Sequence, residues 1–254
     1  MKISIITICK NEKNTVAQTI ESVLSQDYPH IQYIVVDGLS TDGSWEIIQS
    51  YQPRIKHLIH EQDKNLYEAM NKGLKQTTGD IIYFLNANDF LENPKIISTI
   101  IRTFQENPEI MIVKAKTRLA PTDQNIKCYP PHNKAYTSYQ EAFLYLPPHQ
   151  GLFAKKEVFN IIGNFNTRYD LYADYDWFLR AWKKRFPLYF LDQYAAICTP
   201  FGISFTKRWV KLPQKIKIIW NNASPSVFLY YLYHAIKRSF KKIVRLFSYA
   251  HRSH

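Results

Sequence analysis

Glycine is scarce in this sequence. Seven Gly stand among 254 residues and no two are spaced as G-x-G, which excludes both the dinucleotide-binding fingerprint and the P-loop. Cys9, Cys128 and Cys198 are too few and too far apart for a disulfide framework or a C-x-x-C metal site. That scarcity implies a reducing, cytoplasmic compartment. No run of 18 apolar residues offers a membrane span. Ile3 to Cys9 is too short for a signal peptide, because Lys10-Asn11-Glu12 follows at once. The last absence is of acid. No Asp or Glu follows Asp192, whereas eleven Lys and Arg do.

What is present is an ordinary globular balance, 46% hydrophobic and 21% charged. The net charge of +12 belongs to the end of the chain, since the first 192 residues carry 22 basic and 21 acidic side chains. A neutral body with a basic tail points to an anionic partner for the tail. It does not point to nucleic acid, because no recognition motif appears and the basic residues interleave with apolar ones at helical spacing.

β-Branched runs alternate with helical patterns through the first half. Strands are expected at Ile3 to Cys9, Ile31 to Val36, Arg54 to His60 and Asp80 to Leu85. Helices are expected from Asn14 as cap to about Gln26, from Ser44, from Leu66 to Gln76, and from Pro94 to Phe104. Beyond these, a strand at Ile110 to Arg118, a helix from about Asp174 to Lys183 and a strand at Leu188 to Ile197 close the body. The pattern is α/β, with a mostly parallel central sheet covered on both faces. Ligands then bind outside the carboxyl ends of the strands. The loops Lys10-Asn11-Glu12, Asp37-Gly38 and Asn86-Ala87-Asn88-Asp89 should meet there.

Four residues in or near such loops could carry chemistry. Asp37, between a buried strand and a Gly, could accept a hydrogen bond from a nucleotide base; the alternative is a turn aspartate satisfying its own loop. Asp89 could hold a divalent cation, or cap a helix. His149 follows two prolines and precedes Gln150-Gly151, a stiff then flexible stretch that places an imidazole. Asp174, in Ala173-Asp174-Tyr175-Asp176-Trp177, suits either a helix cap, with Asp176 favouring the helix dipole, or a general base facing the crevice.

The order of motifs resembles the family 2 glycosyltransferases. The matching segments are Ser4 to Glu12, Gln26-Asp27-Tyr28-Pro29 with Ile34 to Ser44, Asn65 to Gly73, Thr78 to Asp89, His149-Gln150 and Ala173 to Arg180. Together they span about residues 2 to 205, and the Tyr67 to Gly73 segment is most like bacterial capsule, lipopolysaccharide and exopolysaccharide enzymes. The resemblance implies a GT-A (Rossmann-like) nucleotide-sugar-binding fold in residues 1–205. It implies that Thr7, Asn11, Glu12, Asp37, Asn71, Lys72 and Asn88 bind the nucleotide, that Asp89 holds Mg²⁺ or Mn²⁺, and that Asp174 is the base. His149 and Asp176 would sit on the acceptor or diphosphate side. The implied reaction moves a sugar from a nucleotide-sugar donor, UDP-linked, to a glycan or lipid-linked acceptor with inversion. One departure stands out: the usual Asp-x-Asp then Asp reads Asn86-Ala87-Asn88-Asp89, leaving a single carboxylate.

Residues 206–254 read as a basic helical arm. Ile236, Phe240, Ile243, Val244 and Phe247 recur at helical spacing while Lys237, Arg238, Lys241, Lys242 and Arg245 fill the other face. An amphipathic helix of this composition suits an anionic membrane surface; the alternative is a helix packed on the body with a solvated basic face. The arm should be dispensable for folding of the body from about Val227 onward, and should hold the enzyme peripherally on the inner face of the cell membrane.

Overall fold

The computed structural model describes residues 1–120, 133–199 and 212–250, with side chains in the last stretch as far as Lys237. Cys128, residues 200–211 and the arm side chains from Arg238 to Phe247 lie outside the described residues.

The chain runs β1 (Ile3–Cys9), α1 (Val16–Leu24), β2 (Ile31–Asp37), α2 (Ser44–Ser50), β3 (His57–His60), α3 (Leu66–Lys75), β4 (Ile81–Asn86), β5 (Phe90–Leu91), α4 (Ile96–Glu106) and β6 (Ile112–Leu119). Then follow α5 (Glu141–Leu144), a 3-10 turn at His149–Gly151, β7 (Leu152–Lys155), α6 (Lys156–Ile162), α7 (Ala173–Lys183), β8 (Leu188–Cys198), α8 (Leu212–Asn222) and α9 (Pro225–Ala250). The eight strands form one sheet in the order β3-β2-β1-β4-β7-β6-β8-β5. Pairs β3-β2, β2-β1, β1-β4 and β6-β8 are parallel, and β4-β7, β7-β6 and β8-β5 antiparallel. The expected α/β class holds, with the parallel character concentrated in the N-terminal half.

Apolar side chains cover both faces of the sheet, which is why β1, β2 and β4 read as unbroken apolar runs. Ile6, Ile8, Ile34, Val36, Ile82 and Phe84 face one core with α3 and α7. Ile5, Val35, Ile81, Tyr83 and Leu85 face the other with α1 and α4. Element boundaries moved by a few residues. The first helix begins at Val16 with Thr15, not Asn14, at its cap, and the third strand covers only His57–His60.

The C-terminal helices are joined to the body. Ile218 and Ile219 of α8 and Val227 and Tyr231 of α9 are buried in the core that holds Tyr175, Trp177 and Phe178 of α7. Leu171 N donates to Gln214 Oε1 at 3.1 Å and Asn222 Nδ2 to Asp176 Oδ1 at 3.2 Å. One face of α9 thus adds to the core before the basic stretch begins.

Candidate active site

The carboxyl ends of β1, β2 and β4 meet as expected. Gly38 N donates to Cys9 O at 2.9 Å, Ala87 N to Ile8 O at 3.0 Å, Asn11 N to Ser40 Oγ at 2.8 Å, and Glu12 N to Ser44 Oγ at 2.8 Å. Asn11, at a φ of 55°, also accepts from Thr41 N through Oδ1. Glu12 is half-buried beside Asp89 and Asp42, and burial raises its carboxyl above the ordinary glutamate range.

Asp89 is 2% exposed. Its Oδ2 accepts from Gln150 Nε2 at 2.6 Å and its Oδ1 from Thr199 N at 2.9 Å. Burial raises its pKa, opposed by those two donors and by His149 and Asn86 nearby. Asn86 Oδ1 is buried with no partner. An orphaned carbonyl oxygen next to a carboxylate is a donor set that suits a hard cation bringing phosphate oxygens of its own. Among the described residues no three His, Cys, Asp or Glu side chains gather as a metal-holding cluster, in keeping with the single carboxylate of Asn86-Ala87-Asn88-Asp89.

The second carboxylate enters from α7. Tyr172, at a φ of 69°, takes the cap position and turns the chain so that Asp174 lies in the first helical turn. Asp174 Oδ1 accepts from the Tyr67 hydroxyl and from Tyr175 N, each at 2.9 Å, and His149 Nδ1 lies 3.3 Å from Oδ2. The side chain keeps 15% exposure. Burial pushes its carboxyl upward, but the hydrogen bonds and charge of His149 and the Tyr67 hydroxyl outweigh it, so the pKa is lowered.

The turn at His149–Gly151 joins the two carboxylates: His149 touches Asp174 and the next residue, Gln150, touches Asp89. Pro147 and Pro148 stiffen its entry. Its exit has no room for a side chain, because a Cβ on Gly151 would lie 2.6 Å from Ala115 O.

Other expected site residues are placed differently. Thr7 is fully buried in β1 and accepts from the Tyr33 hydroxyl at 3.0 Å, so it supports the sheet below the strand ends. Asp37 has no exposed surface; Ser40 N (2.9 Å), Ser40 Oγ (2.5 Å) and His60 Nδ1 (2.7 Å) occupy its oxygens. Ser40 of its own loop and His60 at the end of β3 hold the carboxylate in place, and His60 stacks on Trp45 with ring centres 4.2 Å apart. Asn71 exchanges two hydrogen bonds with the backbone of Phe165 and is a clamp between α3 and the segment before α7. Lys72 pairs with Asp63 at 2.8 Å and Glu61 at 3.2 Å. Asn88 is half-buried, its carbonyl accepting from the Thr199 hydroxyl. Asp176, two residues past Asp174 and so on another face of the helix, pairs with Arg180 and Asn222 away from the site. The structure sets Glu12 beside Asp89 and links Asp89 with Asp174 through the His149–Gly151 turn, while Asn11 lies against Ser40, which also bonds Asp37. Sequence reasoning missed Tyr67, Gln150 and Thr199; the first two lie in motifs that were read, but nothing in a tyrosine or glutamine signals a distant carboxylate partner.

The ends of β1, β2 and β4 thus meet at one end of the sheet, where the His149–Gly151 turn links Asp89 with Asp174. The chain matches the model of glycosyl transferase family 2 over residues 4–175 and belongs to that family. A relative named for teichuronic acid biosynthesis, the glycosyltransferase TuaG of Bacillus subtilis, is 35% identical over 98 residues, 37% of this chain and 38% of that one. The structure of residues 1–349 of S. aureus TarS in complex with UDP-GlcNAc superposes with a TM-score of 0.68 at 16% identity, over 91% of this chain and 72% of that one. Against the longer TarS chain, this chain spans 43% of the length. A mannosyltransferase of Pyrobaculum calidifontis, PcManGT, in complex with GDP-Man and Mn²⁺, has a TM-score of 0.66 at 18% identity over 91% and 68% of the two chains. These structural likenesses show the fold.

Proposed function

We propose that this enzyme transfers a sugar from a UDP-sugar to a hydroxyl of a glycan or lipid-linked acceptor in bacterial surface polysaccharide synthesis, inverting the anomeric centre. The observation that carries the reading is the His149-Gln150 turn, which contacts Asp174 through His149 and Asp89 through Gln150. Asp174, held ionised by Tyr67 and His149, takes the proton from the acceptor hydroxyl as it attacks the anomeric carbon from the side opposite the leaving diphosphate. His149 and Tyr67 fix the carboxylate during that step. On the donor side, Asn11, Glu12 and Asn88 line the strand ends around the nucleotide. Asp89, with the unpartnered Asn86 carbonyl, would hold Mg²⁺ or Mn²⁺; such an ion, when bound, stabilises charge gathering on the departing diphosphate. The Mn²⁺ complex of PcManGT supports a divalent ion, and UDP-GlcNAc bound to TarS supports the uridine nucleotide. TuaG supports a cell-surface polysaccharide as product class. A lipid-linked acceptor would be met at the anionic inner face of the cell membrane, through the C-terminal arm.

The test is Asp174→Asn, assayed for sugar transfer and for donor binding. The amide preserves shape but cannot take a proton, so transfer should fall by about 10²–10⁴ while donor affinity changes little. A loss of less than about tenfold would place the base elsewhere.

A further inference from the structure

The C-terminal helices show an apolar surface that runs N-terminally from Ile236, the first residue of the arm's apolar pattern. Among the described residues α9 buries Val227 and Tyr231, and Phe228, Tyr230, Leu232 and Ala235 pack partly against the same core. Leu229, Tyr233 and Ile236 follow at intervals of four and three residues, so they form one stripe. Together with Trp220 of α8 they are between 59% and 68% exposed. Trp220 stands edge-on to Phe228 at 4.8 Å. Beside them Leu212, Pro213, Ile216, Lys217, Trp220 and Phe228 line an open groove of about 730 Å³. The sequence repeats the stripe's interval at Phe240, Ile243 and Phe247.

Large apolar side chains left in water at one place mark a contact surface, and the charge around them selects the partner. Eleven basic residues and no acidic one lie beyond Asp192. Lys217 lines the groove, and Lys237 sits 5.6 Å from the Tyr233 ring centre. Tryptophan and tyrosine at the rim of an apolar stripe, with lysine beside them, suit the headgroup layer of a bilayer. An acid-free basic field suits anionic lipid. Among the described residues no helix is long and apolar enough to cross a membrane, so the contact would be with its surface.

We infer that Trp220, Leu229, Tyr233 and Ile236 form a rigid docking face for an anionic lipid bilayer, fixed to the catalytic helix α7 rather than carried on a separate tether. The inference rests on the membrane reading above and adds to it the residues and the rigidity. α8 and α9 are packed into the core shared with α7, so a bilayer seated on this face would hold the Asp174 end of the crevice in one orientation.

The experiment is cosedimentation of the full chain with vesicles of phosphatidylglycerol and phosphatidylcholine, against phosphatidylcholine alone, with light scattering to follow self-association. The combined variant Trp220→Ser, Leu229→Ser, Tyr233→Ser and Ile236→Ser should bind anionic vesicles at least tenfold more weakly, with its melting temperature unchanged. Trp220→Phe, a milder change, should remove a blue shift of tryptophan emission seen on adding those vesicles. Failure of the unaltered protein to bind either vesicle would overturn the membrane reading itself. If binding is lost on replacing Lys237, Arg238, Lys241 and Lys242 by Gln but survives the four serines, the tail binds membranes and the docking face is wrong. A dimer in the unaltered protein that the four serines dissolve, with vesicle binding intact, would assign the face to a second copy of the chain.

Discussion

After His149, Tyr67 does most to hold the candidate base ionised. Its hydroxyl reaches 2.9 Å across from α3 to Asp174 Oδ1, in a position buried from solvent. A hydrogen bond to a charged acceptor is worth about 1.5–3 kcal/mol, and about 1.4 kcal/mol corresponds to one pH unit. Tyr67→Phe deletes a bond made only to the ionised carboxylate, so the Asp174 pKa should rise. The base works deprotonated, so the acid limb of the pH profile of kcat/KM should move to higher pH. Stability changes in the same sense. A carboxyl with a lowered folded pKa stabilises the native state above the ordinary aspartate range, and that contribution is lost as pH falls through the folded value. The variant should therefore melt lower at neutral pH and differ less from the parent in strong acid. A fall in activity with an unmoved acid limb would mean that Tyr67 only packs.

At the scale of elements, α3 is set by its closeness to the sheet. Asn65 caps it, accepting from Tyr67 N and Glu68 N, and Gly73 lets it settle on β1 and β2. A Cβ on Gly73 would lie 2.5 Å from Ile6 Cγ2 and 3.2 Å from Val36 Cγ2. Gly73→Ala is expected to lower stability by about 1–3 kcal/mol despite alanine's better helix propensity, measured by denaturant unfolding. Transfer should fall too, because Asn65, Tyr67 and Asn71 on this helix bond Thr167, Asp174 and Phe165. The strands of the N-terminal half were legible in the sequence because burial on both faces writes a continuous apolar run. So was the helix that carries Asp174, because the motif around it is long. β5 and β7, two and four residues long, were not, since so short a strand exists only through its antiparallel partner. Thr7 and Asp37 illustrate the limit inside a motif. Each stands in a recognisable segment, yet Tyr33 of β2 in one case, and His60 of β3 with the nearby Ser40 in the other, bond the side chain. Local sequence identifies a loop at the crevice, but the packing decides which of its side chains faces the ligand.

For the molecule as a whole, the division at residue 205 is expected to fail as a cut. We propose the C-terminal helices as an appended layer in sequence but not an independent unit in stability. Removing everything after residue 205 would uncover the partners of Ile218, Ile219, Val227 and Tyr231, each fully or almost fully buried. Deleting one large buried side chain costs about 2–5 kcal/mol, against a total stability of about 5–15 kcal/mol. The truncated protein should be insoluble or melt more than about 10 °C lower, by expression yield and thermal scanning; an unchanged melting temperature would make residues 1–205 self-sufficient. The Tyr67–Asp174 contact also orders events during synthesis. These partners lie 107 residues apart, which a ribosome adding about 5–20 residues per second takes roughly 5–20 s to translate. During that interval the donor-side strands β1, β2 and β4 have emerged but the acceptor-side carboxylate has not. A nascent chain can thus have the strands of a nucleotide crevice before it has the means to use a donor, and competence arrives only as α7 closes onto α3.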